Sequence, residues 1–260
     1  MEVLGYIGAL LIGLVLGLSG GGGSILTVPI LVYLLAIQPV TAMAYSLFIV
    51  GITSGFGAFQ NYKKGLIDFK NGFLFAIPSF VGVYLTRRFL VPLLPDVFIE
   101  KPILVTKDFF LMLLFAIIMI LAAYSMLKKK TEKTDNASVS FLQLGLQTFS
   151  IGILIGLVGA GGGFLIIPAL VLFVKLPMKK AVATSLFIIT LNSLIGFLGD
   201  VQNLSIDWMF LLSFTSLSVV GIFIGIYLNQ FINENQLKKG FAYFVLVMAG
   251  FILVKEITVL

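Results

Sequence analysis

Near its start the chain reads GLSGGGGSILTVPILV, from Gly17 to Val32, and it reads GLVGAGGGFLIIPALV from Gly156 to Val171. Glycine in a helix interior costs about 1 kcal/mol relative to alanine. Four glycines in a row, Gly20 to Gly23, therefore break an otherwise apolar segment, and the break is written twice. With Pro29 laid over Pro168, an offset of 139 residues, AMAYSLFIV (42–50) falls on AVATSLFII (181–189). Ser54 then meets Ser193, Gly57 meets Gly196, Ile67-Asp68 meets Ile206-Asp207, and Val81-Gly82 meets Val220-Gly221. Chance matches are common between apolar sequences, but glycine cluster, proline and serine at fixed spacing are not. The chain is a duplication, and its fold has to be assembled from two copies of one broken unit.

The surroundings of the breaks say where they lie. The chain is 60% hydrophobic and 11% charged, against about 25% charged for soluble domains. Apolar stretches long enough to cross a bilayer recur at 40–60, 71–90, 109–127, 181–199, 208–230 and 241–254, with longer ones at 3–36 and 141–174. A crossing needs about 20 mostly apolar residues. The runs are continuous rather than alternating, which argues against a β-barrel. The fold class is an all-α polytopic membrane protein of two homologous halves. The first repeat is assigned to 1–127, a linker to 128–139 and the second repeat to 140–260. The expected location is the cell inner (plasma) membrane, with multiple passes. The start carries Glu2 and no basic region, so it does not read as a cleavable signal. With 0 Cys and 0 His, the chain lacks thiol chemistry and the usual soft-metal ligands. No cofactor and no metal are expected, and the charge of +6 reads as loop lysine setting topology rather than as a nucleic-acid surface.

Each half holds one long broken segment and three ordinary spans. If the broken segment crosses once, the halves are parallel; if it enters and returns as a hairpin, they are inverted. The linker KKKTEKTDNAS, rich in lysine, is placed in the cytoplasm. The inverted arrangement then puts 12 of the 17 Lys and Arg inside, the parallel one only 8. The arms of the break, 3–18 and 24–36, are also short for a full crossing of about 30 Å. Both observations favour inversion.

Irregular backbone at membrane depth survives only where protein buries it or water lines it. Helices that begin just after the glycines, at Ser24-Ile25 and Gly163-Phe164, would present first-turn N–H groups and the positive end of the dipole. Small anions suit such a site. The candidate substrate-binding residues are therefore Gly20, Gly21, Gly22, Gly23 and Ser24 in one tip, and Gly159, Gly161, Gly162 and Gly163 in the other. Packing is the competing explanation, and for the pairs Gly13/Gly17 and Gly152/Gly156 it is the favoured one. Neutral donors inside the next span add Ser46, its counterpart Ser185, and Asn192; back-bonding to a helix carbonyl is their alternative fate. Asp68 and Asp207 read as helix caps. Arg87-Arg88, present in half one only, reads as an interface anchor, or as an anion lure at an outer vestibule.

The two glycine-proline motifs, each followed by an A-x-A-[T/Y]-S-L-F span, resemble the TauE/SafE family of sulfite and organosulfonate permeases. The resemblance covers nearly the whole chain. It implies a non-enzymatic transporter that moves small inorganic or organic sulfur oxyanions, mostly outward, and it points to Gly20–Gly23, Pro29 and Ser46 with Gly159, Gly161–Gly163, Pro168 and Ser185. Ala160 replaces one glycine, so the tips need not contribute equally. No acidic residue falls in the middle of a span, which weakens a buried-carboxylate proton relay. Export of an anion needs no coupling, because a potential negative inside favours it by about 2.3 kcal/mol per charge per 100 mV. The expected mechanism is alternating access with substrate at the tips. An anion channel and a permease for small carboxylates are the alternatives, and a second copy of the chain and the lipid bilayer are the expected macromolecular surroundings.

Overall fold

In a computed structural model, residues 2–99, 105–127, 141–172 and 174–259 are described. The linker expected at 128–139 lies outside the described residues, as does part of the long loop after Arg88. The fold is helical throughout, apart from a two-stranded ribbon of β1 (Val97–Ile99) and β2 (Val105–Thr106). Half one contributes α1 (Glu2–Ser19), α2 (Gly22–Pro29), α3 (Pro39–Lys63), α4 (Phe69–Leu85), α5 (Val91–Leu93) and α6 (Lys107–Leu127). Half two contributes α7 (Phe141–Val158), α8 (Gly163–Leu172), α9 (Met178–Asp200), α10 (Trp208–Asn229) and α11 (Glu234–Val259). Single π-helical turns, Ile30–Leu34 and Thr86–Leu90, extend α2 and join α4 to α5. Among the described residues six helices are long and apolar enough to cross a membrane, each within a few residues of the stretches read from sequence.

The first break is the turn of a hairpin. Gly5 packs on Leu35, Gly8 on Ile30 and Gly23 on Leu16, so α2 and its π turn run back along α1. Each hairpin ends on the same non-glycine left-handed turn, Ala36 (φ 54°) and its counterpart Lys175 (φ 59°). The helix after the first tip starts at Gly22, two residues earlier than expected from sequence.

The halves interlock. Helix α1 packs along α10 of the other half, and α7, the counterpart of α1, packs along α4, the counterpart of α10. The match extends to single atoms. A Cβ on Gly13 would fall on the Ser218 carbonyl, and one on Gly152 would fall on the Ser79 carbonyl. A Cβ on Gly221 would meet the Leu10 carbonyl, and one on Gly82 the Phe149 carbonyl. The small-residue pairs thus serve backbone-to-backbone packing. In the middle, α3 and α9 cross each other. Leu47 lies against Gly196, Gly51 beside Leu194, and Gly57 beside Leu186, so these two counterpart helices run in opposite directions.

The caps are reciprocal as well. Asp68 Oδ1 accepts from the Asn71 N–H (3.1 Å), and Asp207 Oδ1 accepts from the Phe210 N–H (3.0 Å). The Asp68 N–H donates to Thr184 Oγ1 (3.0 Å) and the Asp207 N–H to the Tyr45 hydroxyl (2.8 Å). Tyr45 and Thr184 are counterparts, so each half pins the start of its third span to the other half.

Two measurements check this architecture. Gly221→Leu forces a side chain into the α1 backbone and should lower the melting temperature in detergent, at an overpacking cost of about 1–3 kcal/mol. Gly250→Leu, which has open space at its Cβ, should leave melting unchanged. Separately, hydrogen bonding from Asn71 holds the Asp68 carboxyl below the usual carboxylate range. A depressed folded pKa contributes stability that is complete above the unfolded value of about 3.9 and is lost as pH falls through the folded one. Melting of the natural protein should therefore drop on acidification below about pH 4 more than melting of Asp68→Asn does.

Candidate functional site

The two tips meet. A Cβ on Gly21 would lie 2.5 Å from the Gly163 carbonyl carbon, and a Cβ on Gly163 would fall on the Gly21 Cα. The contact is backbone against backbone, between the residue that precedes α2 and the first residue of α8. It leaves no room for a ligand between Gly21 and Gly163 in this conformation. Both tips begin alike: the Gly20 N–H donates to the Leu16 carbonyl (2.7 Å) and the Gly159 N–H to the Ile155 carbonyl (2.8 Å). Gly20 and Gly159 then take the left-handed conformation, φ 71° and 66°.

Beyond that point they differ. In tip one, Ser19 Oγ accepts from the Gly22 N–H (2.9 Å) and donates to the Val15 carbonyl (2.7 Å). Ser24 Oγ donates to the Gly21 carbonyl (2.6 Å) and Thr27 Oγ1 to the Gly23 carbonyl (3.0 Å). The Ser24 hydroxyl is therefore spent inside its own turn. In tip two, Val158 stands where Ser19 is, and Gly161 and Gly162 are both left-handed, φ 64° and 73°. The Gly162 carbonyl accepts from the Leu165 and Ile166 N–H groups, both at 2.9 Å. Tip one is stapled by serine side chains; tip two is shaped by left-handed glycines and by backbone hydrogen bonds to the Gly162 carbonyl.

The counterpart serines of the second span also part ways. The Ser185 hydroxyl lies 2.8 Å from the Val182 carbonyl and 3.0 Å from the Gly20 carbonyl, so it back-bonds its own helix and ties tip one to α9. Ser46 Oγ, fully buried, has no hydrogen-bond partner among the described residues. Asn192 sits where α3 and α9 cross. Its Oδ1 accepts from the Ser79 hydroxyl (3.0 Å), while its Nδ2 has no partner among the described residues. Thr53 Oγ1, Ser54 Oγ, Ser193 Oγ and Ser218 Oγ are in the same condition, all fully buried. Ser193 Oγ lies 2.9 Å from the Cβ position of Gly161, which places that hydroxyl directly beside tip two. A buried polar group without a partner costs about 1–3 kcal/mol. Each of these side chains is neutral and can donate a hydrogen bond to an acceptor that the described residues do not supply.

Sequence reasoning missed two features. The first is Ser19, the last residue of α1, whose Oγ reaches across the turn to the first N–H of α2 although it is not the N-cap position, which Gly21 occupies. The second is an ion pair. Arg87, read as an interface anchor or vestibule charge, is instead fully buried: its Nε donates to Asp200 Oδ2 (2.7 Å) and its Nη1 to the Gly156 carbonyl (3.4 Å). Arg88 stays half-buried in the middle of the same turn. A cavity of about 180 Å³ reaches tip one at Ser19, lined also by Gln236, Gly240, Phe241 and neighbouring apolar residues.

The model of the family described as "Sulfite exporter TauE/SafE" matches residues 6–252. A "Probable membrane transporter protein" of Xylella fastidiosa is 27% identical over 251 residues, covering 94% of this chain and 91% of that protein. The Bacillus subtilis "Probable membrane transporter protein YunE" is 29% identical, covering 88% of each chain. A relative of the same description from Methanocaldococcus jannaschii is 29% identical over 250 residues, 91% of this chain and 88% of that one. No solved structure matches the chain.

The hydroxyls of Ser54 and Ser193 lack partners among the described residues, so removing them relieves an unmet hydrogen-bonding demand. Ser54→Ala and Ser193→Ala should melt at or above the temperature of the natural protein in anion-free buffer. A clear loss of melting temperature in either would mean the hydroxyl is bonded.

Proposed function

The chain belongs to the sulfite exporter TauE/SafE family and is a multi-pass membrane transporter, and we propose that it exports a small sulfur-containing oxyanion, such as sulfite or an organosulfonate, across the inner membrane. The observation that carries this reading is the set of unpartnered neutral donors, Ser46, Thr53, Ser54, Asn192 and Ser193, buried on the crossing helices α3 and α9, with Ser193 beside tip two. Hydroxyls and an amide fit an anion that must be released again, because they bind without fixing a full opposite charge. The helix starts at Gly22 and Gly163 add positive dipole ends to the same region. Gly20, Gly21, Gly23, Gly159, Gly161 and Gly162 let backbone approach the anion, while Ser24 and Ser185 hold tip one in shape.

We propose further that the halves are inverted across the membrane. The opposed directions of α3 and α9, the hairpin form of α1 and α2, and the lysine count all support it. On this arrangement the cavity beside Ser19 opens to the cytoplasm, and the outer path is shut by the Gly21–Gly163 contact and the helices above it. Transport then separates the tips, admits the anion to the central donors and reopens on the far side. Tips in direct contact favour alternating access over an open pore.

Solid-supported-membrane electrophysiology on proteoliposomes tests the reading. Jumps of sulfite, ethanesulfonate and acetate on the natural protein should give saturating currents, largest for the sulfur anions. The Gly22→Leu/Gly161→Leu pair should reduce them at least tenfold. No current from any of the three anions would remove the transport of small oxyanions; equal currents in the variant would remove the tips from the mechanism.

A further inference from the structure

Among the described residues, Arg87 and Asp200 are the charged side chains that the fold buries, at 0% and 4% exposure. Moving two charges out of water is costly, and replacing a buried pair with neutral groups is often harmless to stability. This molecule carries that replacement already. The counterpart of Asp200 is Asn61, and the counterpart of Arg87 is Ile226. Asn61 simply donates from Nδ2 to the Gly57 carbonyl (2.9 Å). The scaffold therefore closes one end with a neutral pair, and the ionic pair at the other end answers a demand that packing does not make.

The surroundings of Arg87 indicate what that demand is. Its guanidinium has five N–H donors. Asp200 Oδ2 takes Nε at 2.7 Å and lies 2.6 Å from Nη2, and the Gly156 carbonyl takes one N–H of Nη1 at 3.4 Å. The remaining donors have no acceptor among the described residues. Gly156 lies in the last turn of α7, three residues before Gly159, so the guanidinium stands at the base of tip two. Asp200 is the last residue of α9, and the turn after it is open to water at Gln202 and Asn203. The carboxylate has somewhere to go; the guanidinium does not.

We infer that Arg87 is the charge partner of the transported anion on its way past tip two, and that Asp200 is a resident counter-ion which the anion displaces. A sulfite or sulfonate group offers the planar fork the same two-oxygen face that a carboxylate does. With no anion present, the Arg87–Asp200 pair bridges α4 and α9 and keeps this end closed. An arriving anion takes the guanidinium, Asp200 turns to water, and the bridge opens. The inference rests on the transport reading above and adds a charged residue to a site otherwise made of neutral donors.

The test uses the full chain in proteoliposomes, with sulfite and ethanesulfonate as probes. Arg87→Ile/Asp200→Asn writes the neutral pair of the other half into this position. It should melt within a few degrees of the natural protein, yet give anion currents reduced at least tenfold. Asp200→Asn alone removes the competitor and should lower the half-saturating anion concentration about tenfold. Arg87→Lys should keep a reduced current, because it keeps the charge and loses the fork. Natural currents and natural half-saturation in the double variant would overturn the inference, because the pair would then be a clamp only. A double variant that fails to fold would also overturn it, since the neutral pair would not suffice for the scaffold. An unchanged half-saturation in Asp200→Asn would overturn it independently, whether or not the double variant folds. A natural protein silent to every anion removes the transport reading itself, which the variants alone do not.

Discussion

Everything in this fold follows from having broken helices at membrane depth. A helix end in hydrocarbon leaves N–H and C=O groups that lipid cannot satisfy, so another part of the protein has to cover them. Here each half is covered by the other. The hairpin helix α1 lies along α10, and α7 lies along α4, at distances where only glycine fits at Gly13, Gly221, Gly152 and Gly82. The tips end against each other at Gly21 and Gly163. Neither half could bury its own break this way, which is a physical reason for the unit to occur twice in one chain.

Much of that was legible in sequence because it is written in residue type and period. Six spans were visible as continuous apolar runs, and the duplication as glycine, proline and serine at a constant offset. The hairpin was legible in the shortness of the two arms, and the caps at Asp68 and Asp207 in their place before apolar runs. The interlocking was not, because periodicity reports which face of a helix is buried but not what covers it. Which serines are satisfied was not legible either. Ser46 and Ser185 are the same residue in the same motif, yet only Ser185 finds the carbonyls of Val182 and Gly20. The ion pair escaped because Arg87 stands beside Arg88 near a span end, where arginine usually reaches for the interface. The clue was the combination of two unmatched positions, Arg87 over Ile226 and Asp200 over Asn61, and only spatial proximity joins them.

The symmetry is a property of the backbone, and the departures from it are side chains. Helix directions, left-handed turns at Ala36 and Lys175, caps and close glycine contacts repeat faithfully. The tips, the crossing and the ends do not. Ser19 staples tip one where Val158 leaves tip two free, Asn192 replaces Thr53, and the charged pair occupies one end alone. A symmetric scaffold gives two exchangeable states of nearly equal energy, which a transporter that opens alternately to two sides needs. On the proposed alternating-access reading, asymmetric side chains bias one state over the other, while the membrane potential sets the direction of net flux.

Energy accounts for where those departures sit. Unpartnered donors at Thr53, Ser54, Asn192 and Ser193 cost stability, and so does a buried charge pair. An apolar substitution at each would make a firmer protein. Their costs fall at the crossing of α3 and α9 and at the base of tip two, the regions that part for an anion to pass on the proposed transport reading. An anion that supplies acceptors to the donors and a partner to Arg87 binds most strongly where the empty protein is least content. That binding stabilises the opened arrangement relative to the closed one, and a ligand shifts a conformational equilibrium only by such a difference. On the proposed reading, the same unmet hydrogen bonds that weaken the empty protein couple anion binding to the parting of the tips.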